Sequence, residues 1–392
     1  MKFNLSGSEL HEILQSASRL ASSNIKGNQL SASNVLMEIE GGKLSVTATD
    51  METRLIQTIA LEEVEDDGRY CFTVSPAIIL NPIGELGGQN LRLDFDPEEY
   101  LLEVTYSNGN FQIPVSGADN FPGAAQLGDH TYTMDMTVDA LYSGLYNTLF
   151  TTSVKDNTVT AGVHIEATPE YISFVATNFF TLGIYKNYAF TYTPQPNADG
   201  SLVADPVLGG FTVPKKSARL LMSLLEKKKD LPLLVEVSDN LAVFTCEGLH
   251  LQCRLLGAKY PNYSSVIPKG NDKELVVDRV MFSNAVKRVS IFSDEAKPYV
   301  SIDITSKELR FYTRMVDYSI SAEERIPASF TSDEVISFEF NPILWRDALG
   351  NLKSQEIIFK IGDHTRPIIM IPSEHAEEEE ITIILVPFLK KQ

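Results

Sequence analysis

The side chains that could carry catalysis or hold a metal are scattered along this chain. Its six histidines, His11, His130, His164, His250, His364 and His375, form no HExxH pair, and none stands at zinc-ligand spacing from a cysteine. The three cysteines, Cys71, Cys246 and Cys253, are odd in number and lie in strand-like runs. They read as buried free thiols of a reducing cytoplasm, not as a disulfide framework. Phosphate-cradling loops of the GxxxxGK[ST] and GxGxxG types are missing. Asp94, Asp96, Glu98 and Glu99 crowd together as a cation loop would, but lack the glycine and closing glutamate of an EF-hand, which leaves an exposed turn. Glu377 to Glu380 reads as a solvated acidic loop before the last strand. The expectation is a non-catalytic chain without metal or cofactor.

What the chain has instead is repetition. Phe72-Thr73-Val74-Ser75-Pro76, Phe211-Thr212-Val213-Pro214 and Phe338-Glu339-Phe340-Asn341-Pro342 recur at intervals of 139 and 127 residues. Each leads through a helix-like stretch into a β run: Leu91 to Phe95, Leu233 to Val237 and Ile357 to Ile361. That period is far above the roughly 20–50 residues of a solenoid unit and fits a whole domain. Each copy opens with an amphipathic helix: Leu10, Ile13, Leu14, Ala17 and Ala21; then Leu141, Leu145 and Leu149; then Phe282, Ala285, Val286 and Val289. Ser6 with Glu9 suggests a capping box, and Thr137 and Asp278 suggest caps for the other two helices. Alternating runs follow at Leu44 to Thr49, Ile172 to Thr177 and Leu309 to Thr313, as half-buried strands require. Ser75-Pro76 and Asn341-Pro342 are cap-plus-first-turn pairs for the second helices, and Pro214 introduces the middle one, Lys215 to about Lys227. Pro82 is expected to shorten or kink the first copy's second helix. Lys227, Lys228 and Lys229 read as an answer to a helix dipole. Gly117-Ala118-Asp119-Asn120-Phe121-Pro122 and Gly257-Ala258-Lys259-Tyr260-Pro261 read as linkers closing the first two copies. The expected class is α+β: three tandem domains, residues 1–127, 128–269 and 270–392, each with two helices on an antiparallel sheet.

The chain is long enough for three cores, with 392 residues and 43% hydrophobic content. It contains no apolar run of membrane-spanning length and its start turns polar too early for a signal core, so a cytoplasmic location is expected. A net charge of −19 argues against gripping nucleic acid over the whole surface, though a basic stripe could still be sheltered.

Ala48-Thr49-Asp50, Val213-Pro214-Lys215-Lys216, Tyr260-Pro261-Asn262-Tyr263, Val266-Ile267-Pro268-Lys269 and Val386-Pro387-Phe388-Leu389 occur in order on this threefold repeat. In this the chain resembles the bacterial sliding clamp family, the β subunits of replicative DNA polymerase III, from Met1 to the C-terminus. The resemblance implies a head-to-tail homodimer closing into a ring of six domains around double-stranded DNA, with helices inward and no base readout. It implies DNA-facing cations at Lys26, Lys215, Lys216, Arg219, Lys287 and Arg288. It leaves the first copy's second helix, with Ala77-Ile78-Ile79-Leu80, without a basic contact.

It further implies a cleft taking short linear peptides of polymerase subunits, clamp loader and repair proteins. The matching positions are Thr160, Phe179, Phe180, Thr181, Leu182, Pro261, Val266, Pro367, Ile384, Val386, Pro387 and Phe388. Phe179-Phe180-Thr181-Leu182 stands where the family usually has Gly-His-Arg-Leu, and Val386-Pro387-Phe388-Leu389-Lys390 where it usually has Met-Pro-Met-Arg-Leu. The cleft is therefore expected to be apolar but reshaped. At the ring seam the resemblance sets Ile291 and Phe292 against Phe111. Two alternatives stay open from the residues: a diverged clamp paralogue with altered partners, and an acidic three-domain binding protein that never touches DNA.

Overall fold

The structure is a computed structural model and describes residues 1–21, 30–65, 68–128, 132–155, 158–190, 208–296, 298–315 and 319–388. Six α-helices occur among them: α1 Gly7–Leu20, α2 Pro76–Glu85, α3 Val138–Thr148, α4 Lys215–Leu225, α5 Arg279–Ser290 and α6 Pro342–Asn351. The apolar spacing anticipated for α1 and α5 is the buried face, with Leu10, Ile13, Leu14 and Ala17 in one and Phe282, Ala285, Val286 and Val289 in the other. Asp278 caps α5 by accepting from the Met281 amide at 2.7 Å, and Asn341 caps α6 through Ile343 at 2.9 Å. Ser6 accepts from the Glu9 amide at 3.5 Å, the hydroxyl half of the expected box.

One expectation for α2 needs correcting. The Ser75 side chain makes no cap; its backbone carbonyl takes the Ile78 and Ile79 amides instead, at 3.0 and 3.3 Å. The helix also runs through Pro82 to Glu85. Proline cannot bond the carbonyl four residues back, which belongs to Ile78, and Ile78 is exposed so water can satisfy it. Ile79 and Ile83 stay buried on the opposite side.

The chain forms two compact units. The first comprises Met1–Val138 and Lys227–Leu255. Its nine-stranded antiparallel sheet runs Tyr132–Thr137, Pro232–Val237, Leu241–Cys246, Leu249–Arg254, Thr53–Ala60, Lys43–Thr49, Val35–Glu40, Tyr70–Val74, Ser116–Gly117. The second unit comprises Asp139–Glu226 and Leu256–Gln392. Its sheet runs Leu208–Pro214, Gly162–Ala167, Ile172–Thr177, Thr181–Asn187, Glu379–Leu385, Ile368–Pro372, Glu356–Ile361, Lys273–Asp278, Ser329–Phe330. Each sheet thus joins strands of successive repeats, Leu249–Arg254 to Thr53–Ala60 in one and Glu379–Leu385 to Thr181–Asn187 in the other. Each unit adds a four-stranded sheet, ending at Gly109–Pro114 in the first and at Ile320–Pro327 in the second.

Glu379 and Glu380 are not loop residues, as their acidic run suggested. They belong to the Glu379–Leu385 strand, where Glu379 accepts from the Tyr185 hydroxyl at 2.6 Å. Glu380 receives Lys186 Nζ at 3.0 Å and the Tyr188 hydroxyl at 2.7 Å. These donors come from the neighbouring repeat, almost 200 residues away, and offset the cost of bringing carboxylates into a sheet. Cys246 and Cys253 are buried, while Cys71 is only half-buried. Asp96 caps its own turn, accepting from the Glu98 and Glu99 amides at 2.8 and 3.1 Å.

Candidate DNA-facing helices and ligand groove

Helix α4 buries Ser217, Ala218, Leu220, Leu221, Leu224 and Leu225 and exposes Lys216 and Arg219, with Lys215 half-buried. Two cations in the first turn of a helix, Lys215 and Lys216, oppose its dipole, at roughly 0.3–1 kcal/mol for each charge near the end, and Arg219 follows one turn on. The same first turn presents amides without helical partners, and amides plus cations there attract phosphate. In α5, Lys287 is exposed opposite the buried stripe. Arg288 is exposed too, but both Nε and Nη2 engage the Glu324 carboxylate, Nε at 2.8 Å, so its charge is largely answered inside the chain. Lys26 lies outside the described residues. Of the lysines after α4, Lys227 pairs with Glu12 of α1 at 3.1 Å, and Lys228 donates to the Glu247 carbonyl at 2.9 Å. At the predicted seam positions, Ile291 is 71% and Phe292 44% exposed, and Phe111 is half-buried with its ring 6.4 Å from that of Tyr106.

The predicted cleft residues all fall in the second unit, around one hairpin turn. Thr177 accepts from the Phe179 amide and donates to the Thr181 carbonyl; Asn178 accepts from the Phe180 and Thr181 amides. These bonds hold Phe179 at φ 72°, left-handed backbone that costs a bulky residue about 1–3 kcal/mol. The reward is display: Phe179 is 69% and Phe180 50% exposed. Val386 donates its amide to the Phe180 carbonyl, and the Phe180 and Phe388 rings lie 6.2 Å apart. Ile368 pairs with Leu385, so Pro367 follows beside Val386 across the sheet. Pro367 in turn lines a groove of about 590 Å³ with Arg366 and the run Ser264 to Lys269, in which Val266 is well exposed.

Other expected members lie deep in the unit. Leu182 and Ile384 are cross-strand partners, almost fully covered in a cluster with Val175, Ile184 and Tyr260, against which Val159, Tyr263 and Ile267 pack. Thr160, Thr181 and Pro387 are buried and Pro261 is exposed. The floor is therefore built, and the linker lies over it. Sequence reasoning passed over Tyr260, Tyr263, Ile267, Lys269 and Arg366. All but Arg366 sit in the very stretch that drew attention to Pro261 and Val266.

The first unit repeats the same turn. Thr49 donates to the Thr53 carbonyl and accepts from Met51, Asp50 accepts from Glu52 and Thr53, and Met51 has φ 74°. Arg254 donates its amide to the Glu52 carbonyl, as Val386 does to Phe180. Here, however, the pair matching Leu182 and Ile384 is Arg54 and Gln252. Arg54 Nη1 donates to the Pro122 carbonyl at 2.6 Å with its guanidinium 5.5 Å from the Phe121 ring centroid, and Gln252 donates to Ala125 at 2.6 Å. Polar bonds tie this linker down. At the second turn the paired floor residues are apolar.

Comparison with known proteins agrees along the chain. The profile of the DNA polymerase III beta subunit N-terminal domain matches residues 1–125, and that of its C-terminal domain residues 264–387. The beta sliding clamp of Synechococcus elongatus is 25% identical over 377 residues, covering 95% of this chain and 96% of the relative. That of Synechocystis sp. is 26% identical over 353 residues, covering 86% and 88%. A DnaN sliding clamp from Bartonella birtlesii, solved bound to griselimycin, superposes with TM-score 0.85 at 24% identity over all of both chains. A Pseudomonas aeruginosa clamp bound to griselimycin gives 0.86 at 20%, again over all of both chains. The fold is shared throughout, and the chain belongs to the DNA polymerase III beta subunit family, the non-catalytic beta sliding clamps.

Proposed function

We propose that this chain is a working DNA sliding clamp. Two copies close head to tail into a ring of six domains, with borders near residues 127 and 269 in each copy. Duplex DNA passes through, and the groove around Phe180, Val386, Pro367 and Val266 docks short peptides of the polymerase, clamp loader and repair proteins. Localisation is cytoplasmic. The observation that carries the reading is α4: in a chain of net charge −19, Lys215 and Lys216 occupy a first turn whose dipole opposes them, with Arg219 exposed in the next turn. A phosphate backbone repays that cost. Lys287 is a further exposed helix cation, Arg288 is secondary, and Lys26 is retained from the family pattern.

The seam reading rests on exposed Ile291 and Phe292 and on two strand edges. Gly109–Pro114, which carries Phe111, and Ile320–Pro327 end their sheets, whereas the opposite edges are bridged within the chain, Asn4 to Glu62 and Glu339 to Phe388. Open edges invite a partner strand. For the groove, likeness to the griselimycin-bound clamps supports griselimycin as the ligand to try on this chain.

The test needs no loader. The protein is threaded onto linear duplex with biotinylated ends, the ends are capped with streptavidin, and the complex is washed in high salt. A clamp stays on capped DNA and runs off uncapped DNA. Equal retention on both, or loss from both, overturns the proposal.

A further inference from the structure

The linker that presents Pro261 and Val266 is anchored from behind. Tyr260 is buried, and its ring lies flat on the His164 imidazole, centroids 4.5 Å apart and planes 6° from parallel. Tyr263 donates its hydroxyl to Glu166 Oε2 at 2.8 Å. Glu166 Oε1 stands 3.1 Å from His164 Nε2, and His164 Nδ1 stands 2.9 Å from Thr212 Oγ1. His164 and Glu166 come from the Gly162–Ala167 strand and Thr212 from Leu208–Pro214, its neighbour in the sheet. The site has no slack: a Cβ on Gly210 would lie 2.5 Å from His164 Nε2. Apart from the short turn Tyr263–Val266, no backbone hydrogen bond ties residues 257–269 to a strand among the described residues. Side chains hold this segment, and the sheet fixes those side chains. The groove itself is lined by Ser264 to Lys269, Arg366 and Pro367, and none of the anchoring groups is among them.

We infer that His164 and Glu166 are positioning residues for ligand binding, fixing through Tyr260 and Tyr263 the linker wall that carries Pro261, Val266 and Ile267. The inference rests on the docking reading above. Its physical basis is pre-organisation: a ligand that needs the wall in place binds with an apparent affinity reduced by the fraction of molecules in which the wall is in place. The bond from Tyr263 ends on a carboxylate, the stronger class of hydrogen bond, and the flat stack holds the ring beside it. Loosening these anchors therefore removes binding-competent molecules without removing a ligand contact.

The test follows griselimycin association and dissociation on immobilised protein for wild type, Tyr263→Phe, Glu166→Ala, Glu166→Gln and Leu182→Ala. Tyr263→Phe and Glu166→Ala are each expected to slow association about tenfold with dissociation within about twofold of wild type. The double variant Tyr263→Phe with Glu166→Ala is expected to be no slower than Glu166→Ala alone, because one anchor is removed twice. Glu166→Gln keeps an acceptor for Tyr263 and is expected to restore most of the rate. Leu182→Ala, in the floor, is expected to change dissociation instead. Wild-type association in both anchor variants overturns the inference, as does a loss confined to melting temperature. Wild-type protein that ignores griselimycin yet stays on capped DNA sinks the docking reading, and the inference with it.

Discussion

Replacing Ile291 and Phe292 together by alanine is expected to open the proposed dimer while leaving each chain folded. The magnitude follows from exposure. Ile291 is 71% and Phe292 44% exposed in the single chain, so most of one side chain and nearly half of the other remain for a partner to cover. Full burial of such side chains stabilises by about 1.5–3 kcal/mol each. Scaled by the exposed fractions and reduced for the retained Cβ, the pair contributes about 2 kcal/mol to each seam. A head-to-tail dimer has two seams, so the closed ring loses about 4 kcal/mol, roughly a thousandfold in its dissociation constant. The same exposure means that the folded chain loses little, within about 0.5 kcal/mol per site for surface positions. Light scattering over a dilution series reads the dimer midpoint, and urea unfolding of the dilute monomer reads the control. A midpoint within tenfold of wild type would falsify the seam assignment. A monomer destabilised by several kcal/mol would show that these side chains serve the chain's own core.

Lys215→Glu with Lys216→Glu is expected to lower capture on capped duplex tenfold or more at unchanged dimer mass, since each phosphate contact adds to a salt-dependent affinity. Arg288→Ala should change capture less than twofold, because Glu324 already engages that guanidinium; equal losses in the two variants would reverse the assignment. The hydrogen bond from His164 holds the Glu166 carboxyl below its ordinary value, with Tyr263 adding to this and burial opposing it. The unfolded chain then binds that proton more readily, so the stability is present above the ordinary glutamate range and drains as pH falls through the folded value. Glu166→Gln should flatten the acid limb of a urea-midpoint curve taken below about pH 5, and an unchanged limb would count against the coupling. In the first unit, Arg54→Leu removes the bond to Pro122 and the contact with Phe121. Residues 118–128 should then be cut faster in limited proteolysis, and unchanged cleavage would mean that Gln252 alone secures the linker.

The threefold repeat was legible because each copy restates its helix stripe and strand alternation within a few residues, where periodicity is local. Phe282, Ala285, Val286 and Val289 could be assigned to a buried face without knowing what they meet. The groove was legible only as an address. Leu182 and Phe180 were named together, yet one lies in the floor and the other on the rim, a difference set by linker packing and invisible to spacing. Tyr263 meets Glu166 from 97 positions away, and no local pattern marks either residue. Glu379 and Glu380 misled for the same reason. A run of four acids reads as solvated until Tyr185, Lys186 and Tyr188 arrive from another repeat. Ser75 makes no side-chain cap although it precedes a helix-opening proline as Asn341 does, so that pairing alone does not fix the cap.

The two hairpins differ in what covers them, although they are duplicated parts. Thr49 to Thr53 and Thr177 to Thr181 share their hydrogen bonds and the left-handed third residue, and each is joined to the last long strand of the next repeat. The division lies in one cross-strand pair. Arg54 and Gln252 bring buried polar groups that need partners, and the linker backbone at Pro122 and Ala125 supplies them, which fastens the segment. Leu182 and Ile384 ask for nothing polar, so the linker above them is left to ring stacking and a single hydroxyl. A backbone bolted by its own carbonyls has no reason to admit a foreign chain. An apolar floor with exposed Phe180 and Val266 at its rim gains from any apolar side chain that covers it. The turn is the same in both places, and the residue after Thr53 or Thr181 separates a structural joint from the proposed docking site.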